Sequence, residues 1–165
     1  MSLNDIQLSP IVICNLYKDC LIDLDYDIDK PIEKSNKIKF LGGNIRHILL
    51  LVDNSDVSFL PNDQLDFLSD ILSACRLNMG DVGIVNLNTL TNAGHKNIPD
   101  YMEAEIIILF GIESLALGLP FKIPDFQVQQ FKNRIYLFAP RLDAIKSDTD
   151  LKRKFWESLK NIFSL

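Results

Sequence analysis

The sequence predicts an α/β protein, a three-layer α/β/α sandwich on a mostly parallel central sheet. Three observations predict it. Three apolar runs, His47–Val52, Val82–Val85 and Ile106–Phe110, show little alternation, the pattern of strands covered on both faces. Each run exits into turn-favouring residues: Asp53-Asn54-Ser55-Asp56, Asn86-Leu87-Asn88-Thr89 and Gly111. An amphipathic segment joins the first two runs, so Arg46–Arg76 reads as the opening half of a βαβ unit.

Leu8–Tyr17 suits a short helix entered at Ser9-Pro10. Asp19–Glu33 carries six acids and one base, Lys30. That composition reads as a solvated loop or as an acidic docking segment. Ile38–Leu41 is a short strand candidate, and Gly42-Gly43-Asn44 turns the chain into the first core strand. Pro61 precedes a helix with Asn62 or Asp63 as its N-cap. Its apolar stripe is Leu65, Leu68, Leu72 and Cys75, widened by Phe67 and Ile71. Asn78–Asp81 ends that helix, with Gly80 near the C-cap.

After the second strand, Thr91–Pro99 is loop-like and Pro99–Glu103 makes one helical turn. After the third, Glu113–Leu117 is a short helix ending at Gly118. Phe126–Phe131 alternates, Lys132-Asn133 turns and Arg134–Phe138 returns as a strand, an antiparallel hairpin. The last helix starts near Ser147-Asp148, with Leu151, Phe155, Leu159 and Ile162 on its apolar side and Trp156 and Phe163 beside them. No repeat or linker divides the chain, and 165 residues suit one domain over 1–165.

The balance of 47% hydrophobic and 24% charged residues is that of a soluble globular protein. No apolar run approaches the roughly 20 residues of a membrane helix. Met1–Asp5 lacks the basic start of a signal peptide, so the expected location is cytoplasmic, with no membrane partner. Cys14, Cys20 and Cys75 are odd in number and far apart, which argues against a disulfide framework or a zinc site. A net charge of −5 disfavours tight nucleic-acid binding. No metal or cofactor is expected.

Ligand sites on such sheets lie beyond the carboxyl ends of the strands. Asp53, Asn54, Asn86, Asn88 and Gly111 stand there. A carboxylate at Asp53 can activate a water or hold a ribose, or cap the strand exit as an Asx turn. Asn86 and Asn88 share that ambiguity. No phosphate-cradling glycine loop follows a strand, since Gly42-Gly43 precedes one, and no Gly-x-Ser-x-Gly elbow is present. His47 opens a core strand, away from the end where sites form, whereas His95 lies in a loop without a sequence-adjacent acid.

The stretches LLLVDN and FLSDILSACRLNMGDVGIVNLNTL, with Ala139-Pro140-Arg141-Leu142 and the terminal Leu151–Trp156, resemble the psi subunit family of bacterial DNA polymerase III. The chain departs from that family in its loops, its acidic segment and the Thr91–Pro99 link. The resemblance implies a clamp-loader accessory with no catalytic role, which reaches single-strand-binding protein through a partner subunit. It also implies a fold related to the uracil-DNA glycosylases. A glycosylase would need a water-activating Asp or Asn in a Gly/Pro-rich loop after the first strand and a His after the last. Asp53-Asn54 offers part of the first, and Ala139-Pro140-Arg141 offers no His.

The leading expectation is therefore a non-catalytic, psi-like interaction protein whose partners are clamp-loader-like subunits. Two rivals stand beside it: a nucleotide or DNA-base hydrolase using Asp53 with Asn86 or Asn88, and an α/β domain of unrelated function. A docking surface would be apolar and anchored by aromatics. Ile11, Ile13 and Tyr17 in the amino-terminal segment, and Phe121 and Phe126 in the Pro120–Phe131 link, are its candidates.

Overall fold

The protein is seen in a computed structural model that describes residues 38–90, 95–120 and 122–164. The helix expected over Leu8–Tyr17, the acidic segment Asp19–Glu33 and the candidates Ile11, Ile13, Tyr17 and Phe121 lie outside the described residues. Ile38–Leu165 forms a compact unit of its own.

In chain order its elements are β1 (Leu41–Gly42), β2 (Ile48–Val52), α1 (Asn62–Ala74), β3 (Val82–Asn86), a 3-10 turn (Leu87–Thr89), α2 (Ile98–Tyr101), β4 (Ile106–Phe110), a second 3-10 turn (Ser114–Leu117), β5 (Val128–Phe131), β6 (Arg134–Ala139), α3 (Leu142–Ser147) and α4 (Thr149–Phe163). The six strands form one mixed sheet in the order β1-β3-β2-β4-β6-β5. The inner four run parallel. β1 and β5 pair antiparallel at either side.

The non-alternating runs are buried on both faces, as their composition requires. Side chains along a strand point alternately to opposite faces. Ile48, Leu50 and Val52 enter one apolar cluster, with Leu68 and Leu72 of α1, Ile145 of α3 and Phe155 and Leu159 of α4. Leu49 and Leu51 enter a second, with Ile98, Met102, Ile112, Leu117 and Leu119. The β5–β6 hairpin closes as expected: Lys132 and Asn133 both have positive φ, at 49° and 60°, the primed turn that matches strand twist. Asp148 caps α4, its Oδ1 accepting from the backbone N–H groups of Asp150 and Leu151.

Several elements differ from the sequence expectation, among them β5, which begins at Val128 and not at Phe126. The strand over Ile38–Leu41 shrinks to Leu41–Gly42. Gly42 has φ 106°, and any Cβ on it would overlap the carbonyl oxygen of Val82, so the backbone hugs the β3 entry instead of extending. The N-cap of α1 is Pro61, not Asn62 or Asp63; its carbonyl accepts from Gln64 and Leu65, and no side chain caps the helix. α1 also ends at Ala74, well before Asn78–Asp81 and Gly80. There Arg76 takes φ 58°, and the Leu77 and Arg76 N–H groups bond to the carbonyls of Leu72 and Ser73. This is a Schellman ending, stabilised because Leu77 drops into the core beside Leu72. Finally, Leu142–Ser147 is helical, a six-residue element too short for an apolar period to mark it in the sequence.

Candidate functional site

β2 and β4 are neighbours, but the chain leaves them in opposite directions. From β2 it runs through α1 to β3 on one side; from β3 it crosses back to β4 on the other. The carboxyl ends of β2 and β4 therefore form the switch point at which open α/β sheets bind ligands. Asp53 stands just after β2 and Gly111 just after β4. The structure thus brings Asp53, Asn54, Asn88 and Gly111 to one crevice, with Asn86 beneath.

Asn86, the last residue of β3, is wholly buried. Its Oδ1 accepts from the N–H of Asn54 (3.0 Å) and of Asn88 (3.2 Å). Its Nδ2 donates to the carbonyls of Asn54 (2.8 Å) and Val57 (2.9 Å). One amide thus ties the 54–57 loop and the 3-10 turn to the end of the sheet. A buried amide with every polar group matched is rigid and costly to disturb. Asn88 is exposed and donates its Nδ2 to Asp53 Oδ1 at 2.9 Å. The Asp53 carboxylate is itself exposed.

Arg141, at the exit of β6, completes the crevice. Its Nη2 donates to the Asp53 carbonyl at 2.9 Å. It lies across Gly111, whose N–H donates to the Ala139 carbonyl at 2.8 Å. Gly111 has φ 66°, and a Cβ there would overlap Arg141 Cγ. Both the conformation and the close approach call for glycine. His95, expected in a loop, is only 8% exposed and sits under the 3-10 turn. Its Nε2 lies 3.1 Å from the Leu87 carbonyl and 3.4 Å from that of Leu90. Carbonyls only accept, so Nε2 carries the proton.

Two hollows flank Asp53. The smaller, about 250 Å³, is bounded by Asp53, Asp56, Gln64, Arg141 and Asp143. The larger, about 670 Å³, is bounded by Asp53, Asn88, His95, Gly111, Glu113 and apolar side chains. The strand-end rule that selected Asp53 applies equally to the β6 exit. That position is the signal in the sequence for Arg141. Nothing in the sequence signalled Glu113 or the burial of His95. Among the described residues no three His, Cys, Asp or Glu side chains converge as a metal-binding group.

At the other end of the sheet, Arg134 donates to the Ala104 carbonyl (2.9 Å) and to Asp100 (2.6 Å). Burial is the largest single influence on the Arg134 pKa and acts to lower it, but the hydrogen bond and charge of Asp100, together with Tyr136, outweigh it and the net shift is upward. Burial raises Tyr136, and it raises the Cys75 thiol, which is buried and free. His47 is half-buried at the start of β2, as expected for a histidine away from the site, and takes φ 54°.

Of the partner-surface candidates, Phe126 is half-buried against the first cluster. Its N–H bonds to the Phe138 carbonyl, and its own carbonyl accepts from Ser158 Oγ. Trp156, Phe67 and Ile71 line a shallow apolar groove between α1 and α4. Among the described residues no helix is long and apolar enough to cross a membrane. No protein-family model matches the chain, and no curated protein matches it.

Proposed function

We propose that the chain is a non-catalytic protein-interaction subunit, a psi-like replisome accessory working in the cytoplasm. On this reading its α/β fold is the uracil-DNA-glycosylase-like sandwich implied by the resemblance, and its partners are clamp-loader-like subunits. One observation carries the reading. The polar residues that a hydrolase would use are the ones that hold the crevice together: Asn86 is buried with both ends of its amide occupied, and Asn88 is turned onto Asp53. At the β6 exit stands Arg141, braced on the Asp53 carbonyl, where base hydrolysis would want a histidine.

A second reading, a DNA-base or nucleotide hydrolase, is favoured by one feature: the exposed Asp53 carboxylate at the switch point. Incubation with uracil-containing single- and double-stranded DNA separates the two. The interaction reading expects no base release. Release that vanishes in Asp53→Ala selects the hydrolase. The replisome assignment is tested by gel filtration with purified clamp-loader subunits, where co-elution is expected and separate elution overturns it.

A further inference from the structure

β5 closes one side of the sheet, and among the described residues no strand pairs with its outer edge. The register fixes which of its backbone groups are spare. Phe131 opposes Arg134 across the two-residue turn, and Gln129 opposes Tyr136. A two-residue turn is closed by a hydrogen-bonded pair, and such pairs alternate along an antiparallel ladder. Phe131 and Gln129 therefore turn their backbone groups to β6, whereas the N–H and C=O of Val128 and Gln130 point away from it. The Gln130 carbonyl accepts from Gln129 Nε2 at 3.1 Å, which leaves it a second lone pair. Among the described residues nothing else bonds to these outward groups. The spare stretch stops at Phe126, whose N–H and carbonyl are engaged by Phe138 and Ser158. Proteins ordinarily blunt a sheet edge with shortness, lysine or proline. β1, at the opposite side, is two residues long. β5 is Val-Gln-Gln-Phe, without charge or proline, and Val128, Gln129 and Gln130 are exposed.

We propose that this edge pairs antiparallel with the same edge of a second copy of the chain, about a twofold axis at Gln129, and joins the two sheets into one. Two observations select a second copy. In this register Val128 of each copy opposes Gln130 of the other, so every outward N–H meets an outward carbonyl. A shift of two residues one way sets Gln130 against Phe126, whose backbone groups are already used. The opposite shift sets Val128 against Lys132, which is in the turn with φ 49°. The flanking charges agree as well. Asp125 precedes the strand and Lys132 follows it, and both are exposed. Antiparallel pairing of identical edges carries Lys132 of each copy toward Asp125 of the other, opposite charges at both ends. Parallel pairing would set like charge beside like. The pairing does not rest on the interaction reading, since a different partner can dock elsewhere on the same chain.

Sedimentation equilibrium of the full chain is expected to show a concentration-dependent dimer. Amide exchange at Val128 and Gln130 should slow as the dimer forms, while the Gln129 amide, already bonded to β6, stays as it is. Gln130→Pro removes an outward N–H and spares the β5–β6 ladder, so it should abolish the dimer and keep a cooperative melt. Gln129→Lys and Gln129→Glu each set like charges face to face across the axis. Each should weaken the dimer by about fivefold, the scale of one cross-strand pair, and mixing the two should restore it. Gln129 is exposed, so its variants decide the matter if Gln130→Pro fails to fold. A chain that stays monomeric at about 100 µM, a dimer that both Gln129 variants leave intact, or a mixture no tighter than either variant alone overturns the proposal.

Discussion

The face of the sheet bearing Ile48, Leu50 and Val52 is packed by three helices, α1, α3 and α4. Among the described residues, the face bearing Leu49 and Leu51 is packed by the single turn of α2, two 3-10 turns and the loop residues Ile112 and Leu119. Both faces are equally dry: Leu50 is 1% exposed and Leu51 0%. What differs is how burial is achieved. α1 and α4 are long enough for an amphipathic stripe to specify them locally. A four-residue helix has no such independence, because nucleating one turn is unfavourable. It is held by the contacts it makes, and its apolar residues show no period.

If the two faces count equally toward stability, the largest effects should be symmetrical. Leu50→Asp and Leu51→Asp should each abolish folding, since an unpaired buried carboxylate costs several kcal/mol against a total of about 5–15 kcal/mol. Circular dichroism melts check this, and a cooperatively melting Leu51→Asp beside an unfolded Leu50→Asp would break the equality. The covering elements should then diverge. Phe155 packs edge-on against Phe110, with ring centroids 5.6 Å apart. Phe155→Ala should cost about 3–5 kcal/mol in urea unfolding. Leu117→Ala, in a 3-10 turn that can settle into the space left, should cost about 2 kcal/mol. Equal losses would mean that the short turns are as rigid as the helices.

Asn86→Ala leaves the backbone groups of Asn54 and Val57 without their partner and should cost about 1–3 kcal/mol. Hydrogen exchange should quicken at the Asn54 amide while β4 stays protected. Arg134→Met removes an ion pair whose Asp100 side chain is 71% exposed, and should cost about 1 kcal/mol or less.

The smallest effect is one of pH. The hydrogen bond from Lys146 lowers the Asp63 pKa below its ordinary 3.8. A depressed carboxylate adds stability above its unfolded pKa, and that stability fades as pH falls through the lower folded value. Asp63→Asn should therefore narrow the gap between acid and neutral melting temperatures. An unchanged gap would mean that solvent screens the pair completely.

The strand-exit rule brought Asp53, Asn54, Asn88 and Gly111 to the crevice because each directly follows a core strand or its first turn. It could not tell a reactive residue from a clamp. Asn86 and Asn88 sit two positions apart with similar local sequence, yet one is buried and bonds the loop around Asn54 and Val57 while the other is exposed. Only the arrival of that loop over β3 separates them.

What the sequence determined alone were the features with a local physical cause. Unbroken apolar runs made strands buried on both faces, three- and four-residue spacing made α1 and α4, and Lys132-Asn133 made a hairpin turn. The tertiary structure alone decided the strand order, and with it the crevice. Arg141 reaches the Asp53 carbonyl across 88 positions of chain. Asn86 reaches the Asn54 and Val57 carbonyls across 32 and 29 positions. Contacts at such separation depend on which strands become neighbours. That choice is made by the packing of whole faces, and no local pattern of residues encodes it.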